Sequence, residues 1–177
     1  MAKKILIGVG ALLIVFLVAV ALQSDICSVT RSVTSSARPR ELFANVNDFH
    51  KWDAWSPWAK LDPNMKTNFE GPAVGEGASY AWEGNDKVGQ GKMTIVKSQP
   101  PELIQIQLEF IKPFAGINTI TFTFKPDGAS TLVTWNMNGK NNFFAKAFHL
   151  FMDPEKMVGP DFEKGLSQLK AVSEAKK

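Results

Sequence analysis

Residues 143–175 read FFAKAFHLFMDPEKMVGPDFEKGLSQLKAVSEA, and this stretch decides the fold. Its apolar residues recur at helical spacing: Phe144, Ala147, Phe148 and Phe151, then Val158, Phe162, Leu166, Leu169 and Val172. The long run before it carries few helix signals and reads as strands. A helix with one apolar face that follows a run of strands needs a sheet to lie on. The space between that sheet and the helix is where a ligand would go. Pro154 and Pro160 each lack a backbone donor and crowd the preceding turn. The pattern therefore predicts a short helix over about 142–152, a break, and the main helix over about 160–174.

The strands upstream alternate. Residues 67–70 form a short one, and 77–83 put Ala78, Tyr80 and Trp82 on one face. Gly84-Asn85-Asp86-Lys87 is a hairpin turn, and 88–97 place Gly91, Met93 and Ile95 together. Residues 102–111 set Ile104, Ile106, Leu108 and Phe110 against Gln105, Gln107 and Glu109. Lys112-Pro113-Phe114 turns the chain. Residues 117–124 align Ile120, Phe122 and Phe124, and after a turn at Pro126-Asp127-Gly128, residues 131–137 align Val133, Trp135 and Met137. Alternating strands with short connections mean an antiparallel meander with one buried face. Gly75, Gly77, Gly89 and Gly91 sit in or beside strands, where bulges and bending are expected.

Ahead of these, residues 26–36 are β-branched and alternate, a first strand. Ala37-Arg38-Pro39-Arg40-Glu41 opens a helix with Leu42, Phe43 and Val46 on its apolar face. It stops near Asn47-Asp48. Trp52, Trp55 and Trp58 follow at a spacing of three, and Ser56-Pro57 reads as the cap and first residue of another short helix. Strand, two short helices, strands and a long helix is an α+β order, unlike a lipocalin barrel.

Lys3 and Lys4 precede uncharged residues 5–24, long enough as a helix to cross a bilayer. Ala19-Val20-Ala21 would fit a secretory cleavage site, but the apolar run exceeds a usual signal core, which favours an uncleaved anchor. Residues 1–25 are thus an anchor or signal segment, and 26–177 are the folded domain. The two lysines favour a single-pass topology with a periplasmic or extracytoplasmic domain, whereas Arg31, Arg38 and Arg40 oppose it. The net charge is +3, but without Lys3 and Lys4 the 20 basic residues become 18 against 17 acidic ones. Such balance, with no basic cluster among aromatics, speaks against nucleic-acid binding. Cys27 is the single cysteine, so no internal disulfide forms, and no Cys/His set has metal-ligand spacing.

Several stretches resemble a known group. Ala37-Arg38-Pro39-Arg40-Glu41-Leu42-Phe43 is similar to the A-P-P-E-x-V-F opening of START-related, helix-grip (SRPBCC) proteins. Asn47-Asp48-Phe49, with Trp52 and Trp55-Ser56-Pro57-Trp58, resembles the bacterial polyketide cyclase/dehydratase-like branch. Thr131-Leu132-Val133-Thr134-Trp135 and Gly159-Pro160-Asp161-Phe162-Glu163-Lys164-Gly165-Leu166 resemble its penultimate element and last helix. The resemblance implies a helix-grip fold, a curved antiparallel sheet around a long C-terminal helix with a deep apolar cavity between them. Pro154 departs from the pattern and argues against one continuous closing helix. The superfamily includes lipid carriers, hormone receptors, cyclases and chaperone activators, so the resemblance bears on fold more than on chemistry.

Most inward-facing residues of such a sheet are ordinary core. With the resemblance, part of the set is expected to line a pocket: Trp58, Tyr80, Trp82, Met93, Phe110, Phe124, Trp135 and Met137. Trp52 and Trp55 read as apolar plugs of a docked helix. Catalytic groups are sparse. His50 near Asp53 could be an oriented base, though a helix-end histidine explains it as well. Tyr80, the one tyrosine, could polarise a carbonyl or simply find a backbone partner. His149 falls near the polar side of the last segment; Glu83 and Glu109 fall on outward phases; Arg31 could meet a ligand carboxylate or lie at the surface. No catalytic triad, phosphate loop or cofactor motif is recognisable. Three functions follow: a membrane-tethered or exported module binding a hydrophobic small molecule or lipid without catalysis; a cyclase- or dehydratase-like enzyme; and a protein-interaction domain with a collapsed interior. The first is preferred.

Overall fold

A computed structural model of the chain describes residues 2–113 and 115–175. Helix α1 (Ala2–Ala21) leads through a short connection into β1 (Ile26–Ser35). Helix α2 (Pro39–Val46) and a 3₁₀ helix (Phe49–Ala54) follow. Strands β2 (Lys66–Glu70), β3 (Ser79–Glu83), β4 (Gln90–Gln99), β5 (Leu103–Lys112), β6 (Gly116–Asp127) and β7 (Ser130–Lys140) form a meander. Helices α3 (Phe143–His149) and α4 (Pro154–Glu174) close the chain. Phe114, in the expected turn after β5, lies outside the described residues.

The sheet is antiparallel throughout, with strand order β1-β7-β6-β5-β4-β3-β2. Consecutive strands pair as hairpins, and β1 joins last, on the far side of β7, with Ile26 opposite Lys140 and Ser35 opposite Thr131. The register stacks the apolar alternation into rows: Ile104 beside Phe122 and Trp135, Ile95 beside Ile106 and Ile120, and Tyr80 beside Met93 and Leu108. Two register shifts in β4, at Gln90/Gly91 and Ile95/Lys97, add the bending that wraps the sheet.

Helix α2 starts at Pro39, whose missing N–H costs nothing in the first turn. Glu41 reaches back to the Arg38 backbone N–H at 3.0 Å as part of a capping box. It buries Leu42, Phe43 and Val46 against the sheet. Trp52 and Trp55 are buried plugs, as their spacing implied, and their indole N–H groups donate to the carbonyls of Val46 (2.9 Å) and Asn45 (3.2 Å). Ser56-Pro57 does not open a helix. Residues 57–60 make only a turn, because Pro57 is drawn into the interior and Asp62-Pro63 ends the segment directly.

The closing helix differs from the expectation in one respect. The short helix and the break occur, but α4 begins at Pro154, not Pro160, and runs unbroken to Glu174. Pro154 occupies the first turn behind the Asp153 cap, where proline fits. Pro160 lies inside the helix but on its solvent side, and so does Lys156, whose carbonyl loses its partner. The kinking penalty is thereby reduced, and the buried Phe162, Leu166 and Leu169 hold the helix on the sheet.

Helix α4 lies mainly along β1, while α2 covers β5 and β6. Arg31 on β1 clamps α4. Its guanidinium donates to Glu163 (2.7 Å) and Glu155 (2.5 Å) and lies where a side chain on Gly159 would be. It is therefore a helix fastener rather than a ligand-facing charge. Gly165 does the same service further along: a Cβ there would stand 2.8 Å from the Trp135 ring. The glycine costs helix propensity but lets α4 approach the indole.

Candidate functional site

The two covers leave part of the concave face unfilled. A cavity of about 420 Å³ lies between the β3–β5 half of the sheet, the segment after the 3₁₀ helix and the N-terminal half of α4. Its wall includes Trp58, Tyr80, Trp82, Met93, Phe110, Trp135 and Met137. These are seven of the eight residues expected to face a pocket. Phe124 is the exception. It sits at the other end of β6, is 1 % exposed, and packs edge-on to Phe43 with Phe122 alongside, so it fills core. An interior collapsed on itself is not what the chain forms.

Several wall residues lie outside the expected set. Trp52 is both plug and wall; Leu108 and Ile120 share the phase of the expected set; Met157, Val158 and Phe162 come from α4. The helical spacing of Val158 and Phe162 marks them as inward-facing, but which sheet residues they would meet depends on where α4 lies.

The wall is shaped by aromatic contacts. Trp135 stacks on Phe162 with ring centroids 4.1 Å apart, and Trp58 stands edge-on to both. The Trp82 ring lies against Gly91, where a Cβ would come within 2.5 Å of it, and its indole N–H donates to the Val88 carbonyl at 2.9 Å. The glycine makes room for the large ring on the neighbouring strand. The Trp135 indole nitrogen is buried and has no acceptor among the described residues.

Charged groups gather at the rim. Asp53, Asp86, Lys87 and Lys112 border the cavity and are themselves exposed, and Asp161 is half-buried. Tyr80 is the phenol on the wall. Burial pushes it up to about 12, and the nearby Asp53 carboxylate adds to the shift. Like any phenol it is protonated at neutral pH and can donate a hydrogen bond. His50 is not paired with Asp53. Its ring meets Asp48 Oδ1 at 3.1 Å and stacks on Phe69, beside a separate pocket of about 230 Å³. The short span from Asp48 to His50 lets the carboxylate cap the 3₁₀ helix and reach the ring together.

A curved antiparallel sheet closed by one long helix over an apolar cavity defines a helix-grip protein. The chain belongs to the polyketide cyclase / dehydrase and lipid transport family, whose model matches residues 27–174. Solved structures share the fold at low identity. Protein MLL2253 from Mesorhizobium loti has a TM-score of 0.62 at 14% identity, covering 85% of this chain and 99% of its own. Protein CV1439 from Chromobacterium violaceum has 0.60 at 14%, covering 83% and 96%. The Aha1 dimer from Colwellia psychrerythraea has 0.60 at 15%, covering 84% and 96%. No curated protein matches the chain.

Proposed function

We propose that the domain binds a hydrophobic small molecule or lipid in this cavity without transforming it. We also propose that residues 1–25 anchor it in a membrane while 26–177 do the binding. The observation that carries the first point is the division of chemistry. The wall is built of Trp, Phe, Met and Leu side chains, and the charged groups stand at its rim. Such a site favours an apolar body with a polar end near the mouth. The Tyr80 hydroxyl on the wall is suited to donating a hydrogen bond to that end, and the family description includes lipid transport. The proposed contacts are Trp58, Tyr80, Trp82, Met93, Phe110, Trp135 and Met137.

Helix α1 supports the anchor, being long and apolar enough to cross a membrane. Lys3 and Lys4 at its start favour a cytoplasmic N-terminus, and hence a domain outside the cytoplasm.

Tryptophan fluorescence tests the binding. Four of the chain's five tryptophans, Trp52, Trp58, Trp82 and Trp135, border the cavity. A brominated fatty acid titrated into the full chain in detergent should quench most of the emission saturably. Met137→Phe, which narrows the cavity, should weaken the quenching. Quenching that does not saturate, or that ignores the substitution, removes the proposal.

A further inference from the structure

The sheet register sorts the exposed apolar residues by position. Ile26 starts β1 opposite Lys140 at the end of β7, Ile117 lies near the start of β6, and Ile111 lies near the end of β5. In this antiparallel sheet those positions share one end. The α1–β1 connection arrives there, and α3 departs from there. The exposed large apolar residues outside α1 concentrate at the same end. Phe144 and Phe151 are 79% and 80% exposed, and Phe143, Phe148, Met152 and Met157 are also exposed. Met157 belongs both to this group and to the cavity wall, so the mouth opens beside it.

The tether to α1 is not a free linker. Lys146 of α3 pairs with Asp25, the Asn141 backbone N–H donates to the Asp25 carbonyl (2.9 Å), and the Asn141 side chain donates to the Ser24 carbonyl (3.0 Å). The last turn of α1 meets α3 and buries Val20. The point where the chain leaves the membrane is thus fixed relative to α3.

We propose that α3 and the Leu150–Asp153 connection rest in the lipid surface from which α1 emerges, with the cavity mouth opening onto it. This rests on the reading of α1 as an anchor. Phenylalanines at such exposure are costly in water and suited to the boundary between headgroups and acyl chains. The fastening of Ser24 and Asp25 to the β7–α3 junction holds them at that depth. A bound lipid could then pass between bilayer and cavity without crossing water.

The test uses the full chain, Cys27→Ser, reconstituted in vesicles of phosphatidylcholine and phosphatidylglycerol. Nitroxide labels are placed at Phe144→Cys, at Leu13→Cys within α1, and at Lys97→Cys toward the opposite end of β4. Collision rates with oxygen, which concentrates in lipid, and with a water-soluble nickel complex report depth. The expected result is oxygen-dominated collision at positions 13 and 144 and nickel-dominated collision at 97. A label at 144 that behaves like the one at 97, with 13 still immersed, overturns the docking and leaves the anchor standing. A label at 13 that is open to nickel overturns both. Cavity binding, measured by the quenching titration, is independent of either outcome.

Discussion

At one end of the concave face, Ile104, Phe122 and Phe124 lie beneath α2 and the tryptophan plugs and are 0–1 % exposed. At the other end of the same sheet, Trp82, Phe110 and Met137 are only half covered and face a cavity of about 420 Å³. Both ends are written in the same alternating pattern. What separates them is the cover: α2 and the tryptophan loop press on one end, while α4, fastened to β1 by Arg31, leaves the β3–β5 side open at the other. Alternation selects the face of a strand, and the bulk laid over it decides whether that face becomes core or wall.

Truncation should break the comparison most strongly. Phe122→Ala at the filled end should cost ~3–5 kcal/mol in denaturant unfolding, because a fully buried ring leaves a cavity its neighbours cannot fill. Phe110→Ala at the open end should cost about 1 kcal/mol, since the ring is half-buried and already borders empty space. Equal losses would mean that the open end is packed in solution.

Enlargement should keep the same order for a different reason. Ile106→Phe, at a fully buried position away from the cavity wall, should destabilise by ~1–3 kcal/mol. Met137→Phe has room and should stay within ~1 kcal/mol of the parent by the same measure.

A spectroscopic titration sharpens the open end. Tyr80 is the only tyrosine, so phenolate absorbance near 295 nm reports it alone. The expected midpoint is about 12. Its folded-state value lies above the unfolded one, so the folded chain holds its proton longer, and this contribution to stability declines as pH rises from about 10 toward 12. Asp53→Asn should lower the midpoint slightly, because burial is the larger cause. A midpoint near the ordinary phenol value would mean that water fills the cavity freely.

The smallest effect belongs to the filled end. Glu174 accepts from the Ser36 backbone N–H (2.7 Å) and the Ser35 hydroxyl (3.0 Å), which ties the end of α4 to β1 and holds its carboxyl below the usual range. Its contribution is present above the ordinary carboxylate range and fades as pH falls through the folded value. Glu174→Gln should therefore lower the thermal midpoint at neutral pH by a small margin and leave it nearly unchanged at acid pH, which flattens the acid side of the profile.

The alternation and helical spacing were enough to read the meander, the two faces and the apolar stripe of the closing helix, because each is a local consequence of side-chain period. Seven of the eight residues expected on the cavity wall stand there for the same reason. The misses arose where a local rule met a distant constraint. Phe124 shares the phase of Phe122 but lies under α2, and Pro160 breaks a helix in isolation yet stands on the solvent side of α4. Arg31 takes the surface place, one of its two readings, with partners that only α4 supplies, Glu155 and Glu163.

By itself the sequence determined which residues turn inward and that a helix must close over them, since those follow from the geometry of a few neighbouring residues. Only the tertiary structure decided where the closing helix lies, how much of the inward face it leaves uncovered, and that Phe144 and Phe151 stand exposed beside the end of α1. These depend on contacts between residues far apart in the chain, whose fit is set by shape and volume rather than by local pattern.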